Sequence, residues 1–206
     1  MTFDPAAQFG KNEDPELSER SHAHWVALVD EAHETARTTM EEQGYNNFTP
    51  MAIFLTTTGV IPVIMGGVGA GQMRDAVTQS YRFVAEFGLE RDEQFLILGV
   101  IIHGDAVVKK VPGKGGAKES PVDEEGNYVP GNYQKAFEEG DTSIQETLFT
   151  VAMGATEKNY SIFQRYRYHP VDGFEWDEPD IYDGYVDGTA VDQRWDFYSI
   201  AKEAMT

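Results

Sequence analysis

Three groups of residues in this chain have the types and spacing to do chemistry. The first is His103-Gly104-Asp105, which interrupts the apolar segment QFLILGVIIHGDAVVKKV. An imidazole beside a carboxylate can serve as a general base with its orienting partner, or as two ligands of a metal ion. Glu146, in the later SIQE segment, is the candidate third member. Together His103, Asp105 and Glu146 would make the site of a small hydrolase or transferase. The competing reading is structural: Gly104-Asp105 is turn chemistry, folding Phe95–Ile102 back on Ala106–Val111 as a hairpin. His22 and His24 form an H-x-H, but residues two apart on a helix point in different directions, so no metal site is expected there.

The second group is the glycine cluster Gly66-Gly67-Val68-Gly69-Ala70-Gly71-Gln72-Met73. It lies between an apolar extended segment and an amphipathic one, where free backbone N–H groups and a helix dipole can hold an anion. Gly67, Gly69 and Gly71 are the candidates for that role. A P-loop needs Lys and then Ser or Thr where this chain has Gln72 and Met73. The dinucleotide fingerprint needs G-x-G-x-x-G, and the chain offers G-x-G-x-G. A strand-to-helix turn is the simpler reading, and no cofactor is expected.

The third group is aromatic and charged. On a strand, Arg165 and Arg167 share one face and Tyr166 and Tyr168 the other. Such arginines can grip carboxylates or phosphates, or be neutralised by the aspartates that follow. Beyond Pro170 the chain is acidic, yet it carries Trp176, Tyr182, Tyr185, Trp195 and Tyr198. Aromatic side chains in an acidic segment favour burial or binding over disorder. With Arg165 and Arg167 they are the candidate protein-contact residues, packing on their own domain being the other reading.

Composition narrows the classes. The 206 residues hold 16 Lys and Arg against 35 Asp and Glu, a formal net charge of −19. Nucleic-acid binding depends on cationic side chains that release counterions, so it is not expected. Solubility, docking onto a basic partner and imitation of the charge of DNA all fit such a surface. There are no cysteines, which removes disulfides, thiolate metal sites and cysteine nucleophiles and suits the cytoplasm. The longest apolar runs fall well short of the ~20 residues a membrane helix needs. Met1–Gly10 has no basic start followed by an apolar run, so no secretory signal is expected.

These residues need elements to position them. Residues 1–19 read as a polar arm. A helix capped by Ser18 or Ser21 carries the stripe Trp25, Leu28, Val29, Ala32, Ala36 and Met40, and ends at Gly44. Pro50–Gly67 reads as two short strands bending near Gly59, with Pro62 marking an edge strand or bulge. A second helix from Gln72 to Phe87 presents Met73, Val77, Tyr81, Val84 and Phe87, and Gly88 stops it. Residues 112–141 form a long loop poor in aliphatics. Ile144–Met153 and Tyr160–Tyr168 make an antiparallel hairpin. A short closing helix lines up Val191, Trp195, Tyr198, Ala201 and Met205. The sum is an α+β domain over 20–169, a mostly antiparallel sheet of about five to six strands under two main helices, with an acidic, aromatic extension over 170–206.

Three segments carry a resemblance: PMAIFL, FLILGVIIHGDAVVKK, and GDTSIQETLFTVAMGATEKNYSIFQRYRYHPVDGFEW. Together they resemble a loose group of small α+β proteins of actinobacteria and their phages. The likeness spans roughly residues 20–178, leaving the acidic end outside. It implies an intracellular or phage-encoded setting and no particular activity. The expected function is a non-enzymatic interaction protein that presents its long loop and acidic aromatic end to a protein partner. The alternatives are the His103/Asp105/Glu146 enzyme and a structural component of a virion or other assembly.

Overall fold

The computed structural model describes residues 15–44, 48–68, 72–109, 144–155, 158–184 and 196–206. Helix α1 (Pro15–Gln43) starts on a proline, ahead of Ser18 and Ser21; proline is tolerated in a first turn, whose N–H groups have no intrahelical acceptor. Trp25, Val29, Ala36 and Met40 are buried along one stripe, as the spacing predicts, and His22 and His33 lie buried in it too. Gly44 closes the helix at φ +82°, its N–H bonded to the Met40 carbonyl at 3.0 Å. That left-handed cap favours glycine because it has no Cβ to clash.

Strands β1 (Met51–Thr56) and β2 (Gly59–Ile64) form a hairpin. Thr56 pairs with Gly59 across a two-residue turn, and in such a turn the flanking pair exchanges both hydrogen bonds. Gly59, Ile61 and Val63 therefore bond β1, while Val60, Pro62 and Ile64 turn their backbone groups outward. The Met65 N–H to Pro50 carbonyl bond, 2.8 Å, keeps the same alternation. β2 is a sheet edge, so the N–H that Pro62 lacks is missing from the free side, where it would template another strand. Pro62→Val restores that donor. The variant is expected to shift to larger species than the parent in sedimentation velocity over a concentration series; unchanged sedimentation would mean that the edge is guarded by something else.

Helix α2 (Met73–Leu89) buries Val77, Thr78, Tyr81, Val84, Ala85 and Gly88. Phe87, expected on that face, is exposed instead. From Tyr81 the core stripe runs three, four and seven residues on, to 84, 85 and 88, whereas a residue six on lies about 240° round the helix. Phe87 stacks on Phe83 with centroids 6.2 Å apart, and the Arg91 guanidinium lies 3.4 Å above its ring. Gly88 does not stop the helix.

Strand β3 (Ile97–Lys109) runs straight through the expected turn at Gly104-Asp105. Strand β4 (Ile144–Gly154) pairs with it continuously from Gly99↔Gly154 to Lys109↔Ile144. The glycine serves close approach: a Cβ on Gly104 would lie 2.9 Å from the Phe149 ring. Strand β5 (Tyr160–His169) follows in the expected hairpin with β4. Strands β6 (Gly173–Trp176) and β7 (Asp180–Asp183) both pair with β5 on its outer side. The sheet order is β2-β1-β3-β4-β5, with β6 and β7 sharing the far edge, and every pairing among the described residues is antiparallel. Helix α3 (Phe197–Ala204) is capped by Asp196, which accepts from the Ser199 N–H at 3.0 Å.

The α+β class follows directly. Ala52, Phe54, Val100, Ile102, Val151 and Met153 face α2 and α3. Ile101, Ala152, Tyr160 and Ile162 face α1, joined at its C-terminal half by Leu148 and Tyr166. Residues 173–183 and 197–204, read from sequence as part of an extension, supply two strands and a core helix. No helix among the described residues is long and apolar enough to cross a membrane.

Candidate docking surface

The three candidate catalytic residues share one face of the sheet, since alternate residues and their cross-strand partners point the same way. His103 stands opposite Thr150, Asp105 opposite Leu148, and Glu146 opposite Val107. Glu146 is thus four residues along the strand from His103, on the order of 13 Å. His103 is 6% exposed and bonds the backbone of Ala32 in α1, with Phe48 edge-on at 5.9 Å. Its Nδ1 has no hydrogen-bond partner. Asp105 is exposed by surface area, yet desolvation raises its carboxyl above the usual range. The trio does not assemble an acid–base pair on His103.

The neighbouring polar seam is structural. His33 bonds Thr150 Oγ1 through Nδ1 at 2.9 Å and Gln164 Oε1 through Nε2 at 3.1 Å. The Gln164 amide in turn donates to the Asp177 carbonyl at 2.9 Å. Burial lowers the pKa of His33 and takes that of His103 from 6.5 to about 4. Both rings are therefore neutral in the native state. A depressed folded pKa means that stability is complete above the unfolded value of 6.5 and falls as pH drops through about 4. For His103 the loss between neutral pH and about pH 4.5 is on the order of 2–3 kcal/mol. His103→Leu should shrink the acid loss by that amount, read from urea unfolding at the two pH values. An equal acid loss in both proteins would show that His103 charges without unfolding.

His22 pairs with Asp183 of β7 at 2.8 Å, while His24 is exposed, so the H-x-H points two ways. Among the described residues no cluster of three or more His, Asp or Glu could hold a metal ion. Gly67 is exposed at φ +73°, and Gln72 stands at the N-cap of α2. Gly69, Gly71, Tyr185, Trp195 and the loop over 112–141 lie outside the described residues.

The remaining contact candidates are tied into the fold. Arg165 reaches Asp177 at 3.4 Å and Asp180 at 3.2 Å, and Arg167 reaches Glu175 at 3.2 Å. Trp176 donates its indole N–H to Glu41 of α1 at 2.7 Å and stacks on Phe174. Tyr182 packs edge-on against Phe163 at 5.7 Å, and the Tyr198 hydroxyl donates to the Ala155 carbonyl. These groups staple β6, β7 and α3 to the rest of the chain.

Among the described residues, an exposed aliphatic group lies at the other edge. α1 lies over β3, β4 and β5. One of its flanks meets the far edge, through Asp30 to Tyr160 and Glu41 to Trp176. The opposite flank, which holds Leu28, Ala32, Thr35 and Thr39 by helical spacing, therefore faces β1. Beyond that flank the sheet presents Met51, Ile53 and Leu55 from β1 and Val60, Pro62 and Ile64 from β2, because these positions share the face of His103 and Ile101. The β1 residues are half-buried, but Val60 is 61% exposed and Ile64 is 68% exposed. On the opposite face Ile61 and Val63 of the same strand pack into the core. The result is an apolar shelf with α1 as its wall and β2 as its lip.

The sequence marks Pro62 as an edge or bulge position, but Val60 and Ile64 are not among the expected contact residues. The available signal was the edge proline itself, for a strand with an aliphatic residue at every other non-glycine position, placed at an edge, has one apolar face with few neighbours to cover it. Compared with protein-family models, with curated proteins and with solved structures, the chain matches none.

Proposed function

We propose that the protein is a non-enzymatic interaction protein, and that its docking surface is the bare shelf over β1 and β2. The observation that carries this reading is the exposure of Val60 and Ile64 on β2, a strand whose opposite face packs Ile61 and Val63 into the core with α2 and α3. Contiguous exposed aliphatics mark contact surfaces more often than isolated ones do. Covering what remains exposed of each side chain is worth about 1–2 kcal/mol. Glu146 stands four residues along the strand from His103, so the three side chains do not converge on one point.

The double variant Val60→Ser, Ile64→Ser tests this reading. Both side chains make little use of the fold, so its urea midpoint should stay near that of the parent. In extracts of the source cells the parent should elute from a sizing column in a complex larger than the free chain, and the variant as the free chain. Identical elution of two equally stable proteins would overturn the reading.

A further inference from the structure

We infer that the shelf receives an amphipathic helix of a partner protein, with basic residues flanking its apolar stripe; this rests on the docking reading above. Four observations define the occupant. The first is width. α1 is centred near β4, three strand spacings from β2, about 14 Å at ~4.8 Å per strand. That leaves room for one helix of about 10 Å diameter beside α1. The second is length. Strands of six residues span about 20 Å, which some 13 helical residues cover at ~1.5 Å each. Apolar side chains at i, i+4, i+7 and i+11 would meet the shelf along its whole length.

The third observation excludes strand addition. Pro62 turns the position of its missing N–H to the free edge, so a partner strand would lose a ladder bond at the centre of β2. The fourth is charge. Glu31 and Glu42 of α1 are exposed, and by helical spacing both lie on the half of the helix that holds Leu28 and Thr35, toward the shelf. Arg37, Arg74, Arg165 and Arg167 are engaged in ion pairs within the chain, and Arg82 and Arg91 hold backbone carbonyls. The rim is acidic in a chain of net charge −19. A second copy would bring the same acids to the same place, whereas a helix with Lys or Arg beside its apolar stripe complements them.

The test uses the full chain with labelled Ile, Leu and Val methyl groups and three synthetic peptides of about 14 residues. One has leucines at helical spacing with lysines beside them, the second is its scrambled isomer, and the third replaces lysine by glutamate. The lysine peptide should shift the methyl signals of Ile53, Leu55, Val60 and Ile64. It should bind at least ten-fold tighter than its scrambled isomer and weaken several-fold as salt rises from about 50 to about 500 mM. Ile64→Glu should weaken it at least ten-fold, and the glutamate peptide should leave the methyl signals in place. Equal binding of the scrambled isomer, or shifts away from the shelf, overturns the inference. Concentration-dependent shifts of the same methyls without peptide would assign the shelf to a second copy, overturning the helix while the docking reading stands. Failure of the sizing experiment above removes the docking reading itself.

Discussion

Phe197→Ala is expected to destabilise the protein by about 3–5 kcal/mol. Phe197 is 1% exposed, at the start of α3. Its ring meets Tyr81 edge-on at 5.9 Å, and Tyr81 meets Phe54 the same way at 6.2 Å. One aromatic chain thus runs from the last helix through α2 to the first strand. Truncation removes the apolar area and leaves a cavity between elements that other contacts hold in place. Those contacts include the Arg74–Glu203 ion pair and the Arg82 bond to the Ala204 carbonyl, 2.6 Å. The neighbours can collapse only partly, which is the condition for a large cost. Met205→Ala, at a 41% exposed side chain next to the same helix, should stay within about 0.5 kcal/mol. Urea unfolding followed by circular dichroism separates the two. A small effect at Phe197 would mean that α3 is an appendage and not part of the core.

Gly88→Val is expected to cost about 3 kcal/mol, although valine is the better helix former by a few tenths. A Cβ at Gly88 would fall 2.2 to 2.4 Å from three ring carbons of Phe95. Phe95 is 5% exposed in the core facing α2, so its ring has no free volume to retreat into. Its backbone is fixed as well, by an N–H bond to the Asp92 carbonyl at 3.0 Å. Combining Gly88→Val with Phe95→Ala should cost less than the sum of the two single changes, because the valine fills part of the space the ring vacates. Additive costs would show that the two sites do not touch.

These two residues mark where the sequence stops being legible. The stripe of α1, its Gly44 cap, the β1–β2 hairpin and the edge position of Pro62 follow from signals a few residues long. Gly88 also reads locally as a stop, yet it serves a ring seven residues on that folds back over it. Gly104-Asp105 reads as a hairpin turn by the same local rules. What holds it extended is the unbroken pairing with β4, Gly104 opposite Phe149 and Asp105 opposite Leu148. Phe87 and Gly88 differ by one position in the helical stripe, and only the packing of α2 on the sheet fixes which one is inside. The aromatic content after Pro170 correctly signals burial or binding, but the sequence leaves open which. Trp176 on Glu41 and Tyr198 on Ala155 are contacts more than forty residues apart.

The shelf was the least legible feature of all. That Val60 and Ile64 are aliphatic is plain in the sequence. That they are bare depends on the lateral position of α1, over β3 to β5 and not over β1 and β2. That position is set by contacts distributed along the helix, among them Trp25 against Gly99, His33 on Thr150 and Glu41 with Trp176. No local pattern around β2 encodes it.

The most direct measurement of the docking claim is site-specific photo-crosslinking in the source cells. A photoreactive phenylalanine replaces Ile64 in one strain and Val171 in another, the latter being 93% exposed but away from the shelf. The expected result is one discrete adduct from position 64 and none of that size from position 171. The same adducts from both positions, or none from position 64 in a folded and expressed protein, would contradict the assignment of the shelf as a docking surface.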